Sequence, residues 1–483
     1  MPSPQLNTSA SILLLYTNDI HSHWNGAARL ASLMSRYRQH CGEKIVLLDG
    51  GDHMDRAYME TEGTYGAANV RLMNRLGYDA AVIGNNEGLT FVPERLGQVY
   101  RSNARFPVLA ANVTALSTGQ RPDWLKPWVE MEREGIRIGI VGVTAPYVDY
   151  YRLLGWEVGE PISAVREALS ALRPRVDLLV VLSHCGLTTD VRMAEETEGI
   201  DLILGGHSHH LLPDGHKVGR TWLLAAGKYG DHLGVAECRR APSGEMELSV
   251  RCTPVTGELP DPIVEAELLQ VRAEGTRTLS VPVAQVAEPL AVRYDRPSPL
   301  GQLLAQAIRD HTGADIGLVN AGQLLGDLPA GTVTEGILHT LCPSPINPVR
   351  MHLSGADVKQ AIRESLHEEC YGRVVRGYGF RGDQLGTLCV DGLQVEWTFD
   401  PSEPDEERIR LWFDGREVAD NDRLVVGTID MFVFGGGYPS LKNGQDITFF
   451  LPEMLRDILA VQLRKAEELR RCREDRLAIV HYR

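Results

Sequence analysis

Up to residue 256 the chain keeps a repeating beat. A short apolar run meets an abrupt polar stop, and a stretch with helical spacing follows. Leu13-Leu14-Leu15-Tyr16 reads as a buried strand that stops at Thr17-Asn18-Asp19. Residues 27–40 carry Leu30, Leu33, Met34 and Tyr37 at helical intervals. Residues 44–48 return to a continuous apolar strand, closed by Asp49-Gly50-Gly51-Asp52-His53. A helix over 67–76 leads to a strand over 79–83 that ends in Gly84-Asn85-Asn86-Glu87. Strands over 136–143, 178–182 and 201–204 end in Thr144-Ala145-Pro146, Ser183-His184-Cys185-Gly186 and Gly205-Gly206-His207-Ser208-His209-His210. This alternation predicts an α/β sandwich with its functional groups on loops beyond the carboxyl ends of the strands.

The second half has another texture. Residues 258–278 read as an acidic linker helix and residues 299–308 as a further helix. Residues 315–319 read as a strand that turns at Asn320-Ala321-Gly322, and Gly435-Gly436-Gly437-Tyr438 marks a tight loop. The tail, 452–476, predicts one amphipathic, highly charged helix. The expected division is a first domain over 1–256, a linker helix over 257–285 and a second domain over 286–483.

Composition narrows the classes. A chain of 483 residues exceeds a typical single domain, and 43% hydrophobic residues support sizeable cores. A net charge of −15 argues against wrapping a nucleic-acid polymer. The eight cysteines are scattered without CxxC pairs, which fits reduced thiols. The N-terminus has no basic segment ahead of its short apolar run, and no stretch is long enough to span a membrane. These features predict a cytoplasmic protein without a membrane partner.

The polar stops carry the candidate chemistry. On an extended chain Asp19 and His21 point to the same side, so a carboxylate and an imidazole converge at a strand end. A hard oxygen beside a borderline nitrogen suits a divalent first-row metal. Asp52, Asn85, His184, His207 and His209 stand at equivalent stops. Asp49 reads as a cap or turn former, and Asn112 as structural.

Asp19-x-His21, Gly51-Asp52, Gly84-Asn85-Asn86-Glu87, His184 and Gly206-His207-x-His209, in that order, resemble the five blocks of the calcineurin-like metallophosphoesterases. The added second half resembles the 5′-nucleotidase branch of that family. The resemblance implies a four-layer αββα sandwich followed by an α+β nucleotidase C-terminal domain. It implies two divalent metal ions, one held by Asp19, His21, Asp52 and His209 and the other by Asp52, Asn85, His184 and His207, with Asp52 bridging. Nitrogen and oxygen ligands without thiolate are compatible with Mn²⁺, Zn²⁺, Fe²⁺ or Co²⁺. The implied activity is hydrolysis of a small phosphate ester, a 5′-nucleotide first, by a hydroxide generated between the two cations. The alternatives are a cyclic-nucleotide or dinucleotide phosphodiesterase, and a metal-binding regulatory protein with weak turnover.

Departures from the family pattern matter. The usual Gly-Asn-His-Glu block is Gly-Asn-Asn-Glu here, a form that resembles a cytoplasmic subgroup of Gram-positive nucleotidase-like phosphoesterases. Asn86 stands where the catalytic His is expected, and Leu89 stands at its Asp partner. Asn86, kept as the candidate catalytic residue, can donate a hydrogen bond but cannot protonate a leaving group. His23 and His53 are the nearest imidazoles in sequence that could replace it. In the second half, Asn320 and Gly322 resemble the family's Asn-x-Gly substrate loop, yet Gln323-Leu324-Leu325 follows where an Arg is often found. The usual Gly-Gly-Asp-Gly-Tyr block has lost its Asp. Phe432, Phe434 and Tyr438 are the aromatic candidates for stacking on a base, against the commoner alternative that Phe and Tyr at strand ends belong to the core.

Overall fold

The computed structural model describes residues 11–398 and 407–480. Residues 1–10, on which part of the expectation of no leader segment rests, lie outside the described residues. The chain forms two compact units, Met1–Gly275 and Thr276–Arg483.

Two sheets build the first unit. One runs in the order Met246–Pro254, His232–Arg240, Ser11–Thr17, Ile45–Asp49, Ala80–Val82, Val108–Leu109 and Leu125–Lys126. The other runs His216–Val218, Thr221–Leu224, Leu202–Gly205, Leu178–His184, Ile136–Thr144 and Trp128–Arg133. Ser11–Thr17, Ile45–Asp49 and Ala80–Val82 pair in parallel, and Leu178–His184 lies parallel to both of its neighbours. Parallel pairing delivers the polar stop of each strand to the same end of its sheet.

The sheets meet face to face. Ile12, Leu14, Tyr16, Val46 and Leu48 of the first share a core with Ile138, Ile140, Val180, Leu182, Leu202 and Leu204 of the second. Alternate residues of the second sheet, Val141, Val143, Val181 and Ile203, pack instead on Ile162, Val165, Leu169 and Leu172 of helix Pro161–Leu172. Because both faces are covered, these strands read as continuous apolar runs rather than alternating ones. Each buried Leu, Ile or Val contributes about 1.5–3 kcal/mol.

The expected linker helix forms as Pro262–Thr278, and the division between units falls near its end. It rides on the first unit. Val264 and Val271 are buried, Arg71 pairs with Glu274 at 2.8 Å, and Arg272 pairs with Glu60 at 2.7 Å. Gly63 and Gly275 let two backbones touch, since a Cβ on Gly63 would lie 2.6 Å from the Gly275 Cα.

In the second unit a five-stranded sheet runs Leu388–Asp391, Ile316–Asn320, Arg423–Ile429, Pro348–Ser354 and Gln445–Phe449. Helix Pro299–Thr312 packs into its core through Leu300, Leu303, Leu304 and Ile308. The tail differs from the single helix expected. It forms helices Leu455–Gln462 and Ala466–Arg471, then strand Leu477–Val480, which pairs in parallel with Gln394–Thr398. Helical spacing is present in both pieces, but tertiary contacts break the run. Leu463 is buried, Arg464 Nε donates to the Val283 carbonyl at 2.9 Å, and Lys465 Nζ reaches Asp310 at 2.9 Å.

Candidate active site

The polar stops of the parallel strands close on one another. The backbone N–H groups of Asp19, His21 and Ser22 donate to the carbonyls of Gly51, Asp52 and His53 at 3.0, 2.9 and 2.9 Å, which zips the first two loops together. Asp19, His21, Asp52, His207 and His209 all adopt left-handed backbone, with φ of 51°, 48°, 51°, 71° and 56°. Such conformations cost of order 1–3 kcal/mol each outside glycine and cluster at functional sites. Gly84 has the opposite constraint, for a Cβ there would lie 2.1 Å from Asp52 Oδ1.

Seven donor side chains converge. Asp19 Oδ1 lies 3.6 Å from His21 Nε2 and 3.4 Å from His209 Nε2. Asp52 presents Oδ1 to His184 Nε2 at 3.3 Å and Oδ2 to His21 Nε2 at 3.8 Å. Asn85 Oδ1 sits 3.2 Å from His184 Nε2 and 2.8 Å from His207 Nδ1. Asp19, His21 and His209 form one group spaced to hold a metal, and Asp19, Asp52 and His184 form another. Asp19 thus belongs to both groups, while Asp52 turns one oxygen towards each.

Outer partners hold these groups in place. The Gly50 carbonyl lies 2.7 Å from His184 Nδ1, which leaves Nε2 directed at Asp52. Asn18 donates to Asp19 Oδ2 at 2.6 Å, and Glu87 accepts the backbone N–H of Gly84, Asp52 and Met54 at 2.8, 3.1 and 2.8 Å. Burial and the nearby Asp52 charge push the Glu87 carboxyl up to about 7. Burial works against a charge on His184, yet Asp52 outweighs it and moves that imidazole up to about 10. Burial and the His184 charge push His207 down to about 4. Burial also opposes ionisation of Asp19, but hydrogen bonds from His209 and His21 hold it well below the usual carboxylate range.

This donor set fits divalent metal. The Nε2 atoms of His21 and His209 face each other at 3.1 Å, both beside Asp19 Oδ1. A shared cation satisfies both lone pairs and the carboxylate together, with the nitrogen and oxygen donors such metals take.

The remaining candidates take other places. Asn86 is half-buried, and its Nδ2 lies 2.9 Å from His21 Nδ1 and donates to the Met54 carbonyl at 3.0 Å. It braces a candidate ligand. His53 is buried against Asn69, and burial takes it down to about 4, so it does not face the cluster as an acid. His23 lies over Tyr229, with Nδ1 3.1 Å from its carbonyl. Asp49 forms its turn by accepting from the Gly51 N–H at 3.1 Å, and Asn112 bonds Thr144 and Gly159, both structural tasks.

In the second unit, Asn320 is buried and donates to the Leu385 carbonyl at 2.6 Å, while its oxygen accepts from Gln323. Gly322 is pressed on the same loop, where a Cβ would lie 2.1 Å from the Gln384 carbonyl oxygen. Phe432 and Tyr438 are core residues, not exposed stacking surfaces. The glycine turn tucks both rings inward, 6.0 Å apart, and the Tyr438 hydroxyl donates to Gly386 O at 2.6 Å. Phe434 is 43% exposed and stacks on Phe449. Asn18, Glu87 and Tyr147 take roles that the sequence pattern does not assign. Tyr147 stands just beyond the stop after strand Ile136–Thr144, and its hydroxyl lies 2.9 Å from His207 Nε2.

Residues 12–211 match the calcineurin-like phosphoesterase family, and residues 280–443 match the 5′-nucleotidase C-terminal domain. The metallophosphoesterase YunD of Bacillus subtilis is 36% identical over 459 residues, covering 93% of this chain and 98% of that protein. The chain belongs to the calcineurin-like metallophosphoesterases. Protein UshA of Yersinia enterocolitica is 25% identical over 505 residues, covering 89% of this metallophosphoesterase and 87% of UshA. The fold is shared with a 5′-nucleotidase precursor of Thermus thermophilus, with a TM-score of 0.59, 22% identity and coverage of 97% and 99% of the two chains. It is shared too with the NAD nucleotidase of Haemophilus influenzae, with a TM-score of 0.66, 16% identity and coverage of 98% of each. The metallophosphoesterase is therefore a metal-dependent hydrolase of phosphate esters with a 5′-nucleotidase-type second domain.

Proposed function

We propose that this metallophosphoesterase works with two divalent cations and releases phosphate from 5′-nucleotides. The observation that carries the reading is Asp52, whose Oδ1 faces His184 Nε2 and whose Oδ2 faces His21 Nε2. Asp19, His21 and His209 complete one half, and Asn85, His184 and His207 the other. Two cations bound there would supply Lewis acidity towards phosphoryl oxygens and acidify a coordinated water. Around them the chain's own residues fix the geometry. Gly50 and Asn18 orient His184 and Asp19, and Glu87 ties the Gly84 and Asp52 loops together. Mn²⁺, Zn²⁺, Fe²⁺ and Co²⁺ all suit the donors. Relatives named as nucleotidases and the matching C-terminal domain support nucleotides as substrate class.

A second reading, a cyclic-nucleotide or dinucleotide phosphodiesterase, draws on Asn86. Its amide cannot protonate a departing oxygen and is occupied with His21, which suits an ester with a good leaving group. A cytoplasmic location is part of the proposal, supported by eight cysteines that stand as free thiols.

The test is turnover of protein stripped of metal and reloaded with each of the four ions, assayed on nucleoside monophosphates, cyclic nucleotides, dinucleotides and sugar phosphates. Preference for monophosphates supports the first reading. Preference for diesters replaces it with the second, and two-metal protein inert on all of them overturns both.

A further inference from the structure

The two histidines of the second half-site are held in opposite senses. His184 has Nδ1 on the Gly50 carbonyl at 2.7 Å, so Nε2 is the nitrogen aimed at Asp52 and Asn85. His207 is reversed. Its Nδ1 lies 2.8 Å from Asn85 Oδ1, and its Nε2 lies 2.9 Å from the Tyr147 hydroxyl. The His207 and Tyr147 rings meet edge to face, with centroids 5.7 Å apart and planes at 66°.

A neutral imidazole carries one proton, and the partner of the outward nitrogen decides which nitrogen keeps it. We infer that Tyr147 is the positioning residue of His207: with a cation held beside Asn85, its phenolic oxygen would accept the Nε2 proton and leave the Nδ1 lone pair to the metal. This inference rests on the two-metal reading above. The loop around Tyr147 is suited to the task. The Ala145 N–H donates to the His184 carbonyl at 3.0 Å, and the Tyr147 N–H donates to the Ala145 carbonyl at 3.0 Å. The segment that places the phenol is therefore clamped to the residue supplying the neighbouring imidazole. A hydroxyl can accept from His207, which a phenylalanine at this position could not do.

The experiment compares wild type with Tyr147→Phe, both stripped of metal and titrated with Mn²⁺ by calorimetry and electron paramagnetic resonance. Expected is an unchanged first ion and a second ion weakened about 10–100-fold, the usual effect of losing an outer partner of a ligand. In the Zn²⁺-loaded wild type, ¹⁵N resonances of histidine should show His207 bound through Nδ1, with a slowly exchanging proton on Nε2. In Tyr147→Phe that proton should exchange fast. Two ions bound equally well by both proteins would overturn the inference and leave the two-metal reading standing. A wild type that takes up only one ion would overturn the two-metal reading and this role with it. If Tyr147→Phe fails to fold, the wild-type spectrum decides alone, and a His207 proton on Nδ1 in the loaded protein refutes the assignment.

Discussion

His21 and His209 set their Nε2 atoms 3.1 Å apart with ring planes at 88°, a contact in which the two nitrogens share at most one proton. A cation there would bind both nitrogens and the Asp19 carboxylate together. Treatment with a chelator should lower the melting temperature, and Mn²⁺ or Zn²⁺ should restore it. At a hundredfold excess over Kd a bound ion stabilises by about 2.7 kcal/mol, or several degrees for a unit of this size. Scanning calorimetry with and without metal checks this, and identical melting curves would count against a metal at this contact.

Asp52→Asn should cost most of the bound metal and nearly all turnover. The amide keeps the shape of the side chain but removes the charge shared between His184 and His21. Metal analysis and phosphate release measure the two effects separately. Two ions retained with normal turnover would remove Asp52 from its bridging place.

Asn86→Ala should act through metal rather than through the leaving group. Its amide bonds His21 Nδ1 at 2.9 Å, so its loss frees that ring and should weaken metal binding about 10–100-fold. Saturating metal should then recover much of the rate on activated and unactivated esters alike. A defect that persists at saturation, largest for poor leaving groups, would instead return Asn86 to direct work on the substrate.

In the second unit, burial pushes the Asp430 carboxyl up to about 7 despite a backbone N–H from Asn347. The folded protein therefore keeps a proton that the unfolded chain releases near its ordinary value of 3.8. That contribution to stability is complete below about pH 4 and is lost as pH rises towards about 7. Asp430→Asn should flatten this fall, gaining on wild type at pH 8 relative to pH 5 in urea unfolding. Asp190 and Glu87, also raised to about 7 by burial, keep a remaining slope of the same sign. Parallel profiles for the two proteins would show that Asp430 is not protonated in the fold.

A fragment ending at residue 278 should fold and bind metal, whereas one ending at 256 should be distinctly less stable. The shorter piece loses Val264, Val271 and the pairs of Glu274 with Arg71 and Arg272 with Glu60. Two buried valines alone suggest about 3–6 kcal/mol. Thermal melts of both fragments settle the order, and equal stability would make the helix a passive tether.

Much of the first unit was legible because its signal is local. Strands covered on both faces are apolar throughout, so Leu13–Tyr16 and Leu178–Leu182 stand out, and each candidate ligand follows such a run closely. The outer partners were hidden for the opposite reason. Gly50 reaches His184 through a carbonyl, which no side chain announces, and a tyrosine such as Tyr147 has no place in the Asp, Asn and His pattern of the candidate ligands. In the second unit the choice between core and stacking surface for Phe432 and Tyr438 turns on contacts far along the chain, such as Tyr438 with Gly386. The break at Leu463 likewise depends on Val283 and Asp310, long before it in sequence.

The left-handed backbone at Asp19, His21, Asp52, His207 and His209 limits how this centre can drift. Among residues with a side chain, Asp, Asn and His enter that conformation most readily, and β-branched residues pay the steepest penalty there. A mutation to Val or Ile at one of these positions would injure the loop as well as remove a donor. Exchange among Asp, Asn, His and Gly would spare the loop and change only the chemistry. The route open to neutral change thus runs through retuned metal preference or a silent centre on an intact scaffold, before it reaches loss of the fold.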